Sequence, residues 1–214
     1  LPSGLAIGVE VTSFTLMSLF ISRLGIVATA SHQIASNMAA LLYMLPLSLA
    51  IASSARVSYW MGAGDINRAR HALRTGLGLI LTLGFSVALL LGWQREAIAS
   101  LYTQSPEVAA LAAGLLLWLT LYHAADAVQV FCVFALRSYG ITLLPLITYA
   151  LLLWGLGLAG GYVVAYGTGF ESVLLSWLVP KSPIAFWQTA SVALTITSAV
   201  LLPVLWRAAY RVKT

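Results

Sequence analysis

Six long apolar segments, at about 2–22, 28–60, 70–94, 107–136, 142–166 and 184–206, occupy most of the 214 residues. An α-helix needs about 20 apolar residues to cross the hydrocarbon core of a bilayer, and each segment supplies that length. Hydrophobic residues make up 61% of the chain and charged residues 8%, with a mean hydropathy of +0.95. A water-soluble bundle is excluded, because polar faces at the helical period are missing over most of the length. A β-barrel is excluded as well, because the runs are continuous where barrel strands alternate apolar and polar residues. The chain therefore predicts an all-α integral membrane protein, one unit over 1–214 with six transmembrane helices. Pro46, in "LLYMLPLSLA", removes a backbone donor from the overlong second segment and predicts a kink or a long tilted helix there.

Short loops rich in Lys and Arg stay in the cytoplasm. With residue 1 on the cytoplasmic side, Arg56, Arg68, Arg70, Arg74, Arg137, Arg207, Arg211 and Lys213 fall inside, leaving Arg23, Arg95 and Lys181 outside. The expected location is the cell (inner) membrane, multi-pass, with both chain ends cytoplasmic. This asymmetry accounts for the formal charge of +5 without a nucleic-acid partner. The chain opens "LPSGL" directly into a span, so a longer parent protein is expected. The single cysteine, Cys132, lies within a span and forms no intrachain disulfide.

Two acids fall within apolar spans: Glu10 in "LAIGVEVTSFTL" and Asp126 in "LLLWLTLYHAADAVQVFCVFAL". A carboxylate near a span centre costs roughly 2.5–3.5 kcal/mol on insertion scales, so it calls for a compensating role. Tyr122 is four residues before Asp126 and Gln129 three after, so the three share a helical face. Ser13 and Phe14 share a face with Glu10 by the same spacing. Carboxylates, a phenol and small hydroxyls around one cavity make a hard-oxygen site suited to Na⁺, or to a proton held between like charges. The competing reading pairs each acid with Arg as structural glue, yet no basic residue sits at mid-depth in any span.

Gln33, in "SHQIASN", is a candidate cavity-lining residue with Asn37 one turn on, whereas His32 and His123 are expected to be interfacial or packing residues. Gly4 with Gly8, and Gly157 with Gly161, have the G-x-x-x-G spacing that lets helices approach closely. Gly62–Asp65 matches the G-x-G-D tetrapeptide of intramembrane aspartyl proteases. Asp65 nevertheless precedes the basic start "INRARHALR", which predicts a helix N-cap at the membrane surface and no enzyme.

Several stretches together are specific: "LPSGLAIGVE", "ASHQIASN", "RVSYWMGAGDINRAR", "SPEVAALA", "YHAAD", "GLGLAGGYVVAYG" and "AFWQTASVALT". The chain resembles the multidrug and toxic compound extrusion (MATE) family, NorM-like branch, over nearly its whole length. The resemblance implies the C-terminal lobe of a pseudo-symmetric twelve-helix transporter. It also implies an antiporter that exports amphipathic organic cations against inward Na⁺ or H⁺, with membrane lipid and the N-terminal lobe as partners and no cofactor beyond the coupling ion. Carried over by position, Glu10 and Asp126 fall at the cation-site carboxylates, the Na⁺ ligands if sodium couples, and Tyr122 at its aromatic hydroxyl. Gln33 and Phe14 fall at drug-cavity positions. Gln104 and Ser105 stand where some relatives carry drug-contacting acids. A lipid-linked precursor flippase or a non-transporting membrane scaffold is the alternative.

Overall fold

The computed structural model describes residues 2–167 and 181–211. Among these residues the chain is helical throughout: α1 Pro2–Ser22, α2 Ile26–Gly62, α3 Ile66–Tyr102, α4 Pro106–Ser138, α5 Leu143–Tyr166 and α6 Ile184–Arg211. The six helices fall on the six apolar runs, with α2, α3 and α6 extending beyond them. Helices α2 to α6 are long and apolar enough to cross a membrane, and the apolar part of α1, Gly8–Ser22, is shorter. α2 runs unbroken through Pro46.

Short turns make successive helices antiparallel. Gly64 (φ 77°) and Gly140 (φ 74°) take left-handed backbone conformations in the α2–α3 and α4–α5 turns, which a side-chain-bearing residue adopts at a cost. Two caps start α3 and α4, the first where the sequence predicts it. The Asp65 carboxylate accepts from the Arg68 backbone N–H at 2.9 Å, so the G-x-G-D match is a cap. Ser105 accepts from Val108 N–H at the start of α4, with Pro106 in its first turn.

α4 is the central helix, packed against α2, α3 and α6. Every residue from Tyr122 to Cys132 is buried, as in a helix enclosed on all sides. Small hydroxyls tie neighbours to it: Ser31 Oγ donates to Val108 O (3.1 Å), Ser198 Oγ to Ala125 O (2.7 Å) and Ser191 Oγ to Trp118 O (3.2 Å).

Seven of the nine arginines gather at one end of the bundle, with Arg23 and Arg95 toward the other. At the arginine-rich end Arg70 Nε donates to Ala209 O at 3.0 Å, Arg74 bonds the Tyr210 hydroxyl, and Ser58 bonds Ser138. At the opposite end, Tyr102 donates to Asn37 and Tyr166 to Phe20 O.

Two sequence expectations change. Gly4 and Gly8 have nothing within 4 Å of an added Cβ, so that pair makes no close packing here, whereas at Gly161 a Cβ would meet Phe186 Cδ1 at 2.7 Å and Thr189 Oγ1 at 2.8 Å. The G-x-x-x-G reading holds only for the second pair. α5 is not a regular α-helix, because Ala150–Ala159 is π-helical between two α-helical turns. In this wider winding the Gly157 carbonyl accepts from Thr189 Oγ1 of α6 at 2.7 Å. His32 is a packing residue, one of the two roles expected for it. It is fully buried, with Nδ1 accepting from Trp187 Nε1–H (3.2 Å), which places the ring proton on Nε2 toward Ser18 Oγ (2.9 Å) and Ser36 Oγ (3.2 Å).

Candidate cation site

Glu10 enters from the middle of α1 and Asp126 from the enclosed centre of α4, and the two carboxylates lie within electrostatic reach of each other. Asp126 is 4% exposed and Glu10 half-buried. Neither is paired with a base, since the ion pairs among the described residues are Asp65–Arg68 at 3.2 Å and Arg95–Glu96 at 3.4 Å. One Asp126 oxygen, Oδ1, is buried with no hydrogen-bond partner. Buried polar atoms are nearly always satisfied, and an orphaned carboxylate oxygen beside a second acid marks a place for a cation or a proton.

Two small cavities lie nearby, of which Glu10 lines the first and Asp126 neither. Toward the arginine-rich end, a cavity of about 30 Å³ is lined by Glu10, Tyr43, Gln129, Arg137 and Tyr149. Tyr149 sits in the first turns of α5, and its hydroxyl faces Glu10 without reaching normal hydrogen-bond geometry. Toward the other end, a cavity of about 20 Å³ is lined by Ser13, Phe14, Met17, Tyr122 and Trp187. Its rings meet edge-on, with Phe14–Tyr122 centroids at 6.0 Å, Phe14–Trp187 at 6.3 Å and Tyr122–Trp187 at 5.6 Å. Ser13 Oγ donates to Val9 O at 2.8 Å.

These volumes decide what fits. Roughly 10–15 Å³ admits one water-sized species, whereas drug-sized ligands need about 300–1,000 Å³. Neither cavity has room for a drug, and the one beside Glu10 holds about one water-sized species.

The structure brings together Glu10, Asp126, Tyr122, Gln129 and Phe14, and leaves Gln33 apart. Gln33 is exposed on α2, beside an open hollow of about 450 Å³ with Ser36, Asn37 and Tyr102. Sequence reasoning missed Tyr43, Tyr149 and Arg137, because helical spacing groups residues of one helix and these come from three. Arg137, in the last turn of α4 and so away from mid-helix as expected, lines the same small cavity as Glu10. Among the described residues no group of three or more His, Cys, Asp or Glu is placed to hold a metal ion.

Fold and site together define a polytopic helical membrane protein with an acidic pair enclosed in its bundle. The MatE family model matches residues 2–163, and the chain belongs to that family. It is 41% identical over 214 residues to the probable multidrug resistance protein NorM of Aromatoleum aromaticum, covering 99% of this chain and 44% of the relative. It is 38% identical to the multidrug resistance protein MdtK of Yersinia enterocolitica, covering 94% and 42%. The chain thus spans less than half the length of these relatives. Its fold matches the crystal structure of the eukaryotic MATE transporter AtDTX14 with a TM-score of 0.81 at 20% identity, over 98% of this chain and 46% of that one.

Proposed function

We propose that this chain is the C-terminal six-helix lobe of a cation-coupled antiporter that exports amphipathic organic cations, with Glu10, Asp126 and Tyr122 forming the site for the coupling Na⁺ or H⁺. One observation carries the reading: a buried carboxylate oxygen of Asp126 without a partner, within the electrostatic influence of Glu10 and with no base ion-paired to either acid among the described residues. The names of the relatives, multidrug resistance proteins, support the drug side. A cation in the site offsets the repulsion between the acids, and its departure leaves a buried negative pair that favours a different helix arrangement. Exchange follows when cation and drug favour different states, because a ligand shifts an equilibrium only by its differential affinity. Phe14 forms the aromatic wall beside the cation site, and Gln33 belongs to the exposed face that meets the N-terminal lobe across the drug cavity.

The test is reconstitution of the complete transporter in proteoliposomes. An imposed Na⁺ or H⁺ gradient should drive ethidium in the opposite direction, with saturation. Ethidium movement indifferent to both gradients overturns the reading, and unsaturable current without countertransport indicates a channel.

The proposed orientation places the arginine-rich end in the cytoplasm of the cell that carries the protein in its inner membrane. Cysteines at Asn67 and Ser172, in a Cys132→Ser background, should respond oppositely to an impermeant maleimide on intact cells, with Ser172 labelled and Asn67 protected. Ser172, in the expected external loop 167–181, lies outside the described residues. The reverse pattern inverts the topology.

A further inference from the structure

Apart from the acidic site, α2 and α3 border an open groove of about 550 Å³ at their arginine-rich ends. Sequence spacing builds it. Leu49, Ala52, Ser53, Arg56 and Trp60 recur along one stripe of α2, and Arg68, Ala72, Thr75 and Leu79 along one stripe of α3. The floor is formed by close contact between the helices, where a Cβ on Gly76 would lie 2.4 Å from Ser53 Oγ. The walls are graded: Arg56, Trp60, Arg68 and His71 line the outer end, and Leu49, Ala52 and Leu79 the inner end. Arg56 and Leu49 are seven residues apart, so the polar and apolar ends are separated by roughly 10 Å along α2.

The cations at this end of the bundle have different duties. Arg70 is held by the Ala209 carbonyl and the Tyr210 ring, and Arg74 by Tyr210. Arg56 is exposed and has no ion pair among the described residues. Arg68 lies 4.6 Å over the Trp60 ring and meets Asp65 at 3.2 Å, contacts that hold its guanidinium at the rim. A guanidinium carries five donors, so one carboxylate leaves part of the fork available to a phosphate.

We infer that this groove binds an anionic phospholipid of the phosphatidylglycerol type, with its phosphodiester between Arg56 and Arg68 and an acyl chain along Leu49, Ala52 and Leu79. Charge complementarity and the apolar continuation of the groove select this occupant over a free anion, which would use only the outer end. Under the orientation proposed above, the lipid belongs to the inner leaflet.

Native mass spectrometry of the complete transporter, exchanged into phosphatidylglycerol or phosphatidylcholine, tests this. The wild-type protein should retain phosphatidylglycerol preferentially. Replacing Arg56→Gln and Arg68→Gln together should lower that retention by about fivefold for each arginine, from the usual strength of one basic residue near an anionic surface, and leave phosphatidylcholine unchanged. Arg207→Gln with Arg211→Gln removes the same charge at the same end and should leave retention intact. Ala52→Phe, which keeps both arginines and fills the apolar end, should also lower it. Equal losses in the two double variants reduce the effect to general surface charge and overturn the inference. Retention unaffected by Ala52→Phe and displaced by inorganic phosphate overturns it too, as the mark of an anion site without acyl contact.

Discussion

Asp126→Asn in the complete transporter should abolish cation-coupled drug efflux while leaving expression at or above the wild-type level. The two effects have separate origins. Asn preserves the shape of the side chain and removes the charge that costs roughly 2.5–3.5 kcal/mol to bury at mid-membrane, so insertion is easier. The coupling cation, however, loses a partner inside a buried site where removing one member of a charge pair typically costs about 2–5 kcal/mol, at least a tenfold fall in affinity. Glu10→Gln should act in the same direction and less completely, because Glu10 is half-buried and sits beside the Tyr43, Tyr149 and Arg137 cavity, where solvent exchange relieves part of the loss. Efflux of ethidium from energised cells, normalised to membrane-inserted protein, is the measurement. Near-normal efflux in both variants would falsify the cation site, and that outcome would favour the scaffold alternative. The Asp126→Asn, Glu10→Gln double variant should be no worse than Asp126→Asn alone if the acids act as one site.

Much of this arrangement was legible because membrane helices are specified by run length. The ends of α1, α4 and α5 fall within a few residues of the apolar runs, and the Asp65 cap follows from residue type ahead of a run. Asp126 was legible for the opposite reason, since an acid inside a run is anomalous and the burial of α4 on every side shows where the anomaly is housed. What escaped depends on which helix stands next to which. Tyr149 and Tyr43 are unremarkable in their own helices and meet Glu10 only after α2 and α5 pack beside α1. The Gly4 and Gly157 pairs have the same spacing, and only the neighbour at Phe186 and Thr189 separates them. The π-helical turns of α5 have no period-based signature in "ALLLWGLGLA", and the full burial of His32 depends on Trp187, 155 residues away.

Expressed alone, this chain should insert and self-associate but export nothing. One lobe offers only half of a drug cavity, so polar residues facing the other half would meet lipid unless a second lobe covers them. The structure narrows which residues bear that cost. Asp126 and Tyr122 are 4% and 5% exposed within this chain itself, so that part of the site stays enclosed while Glu10 is half-buried, and the uncovered polar surface includes Gln33 and Asn37 on α2. Side-chain amides in lipid find partners on neighbouring helices at a modest gain of about 0.6 kcal/mol each, enough to promote association of copies without unfolding the bundle. Cation binding and drug export should therefore separate. Vesicles holding only this chain should move no ethidium under a Na⁺ or H⁺ gradient, and co-expression of the N-terminal lobe should restore movement. Robust export by the chain alone would sink the half-cavity argument and require a homodimeric transporter, in which the Gln33 faces of two copies close one cavity between two acidic sites.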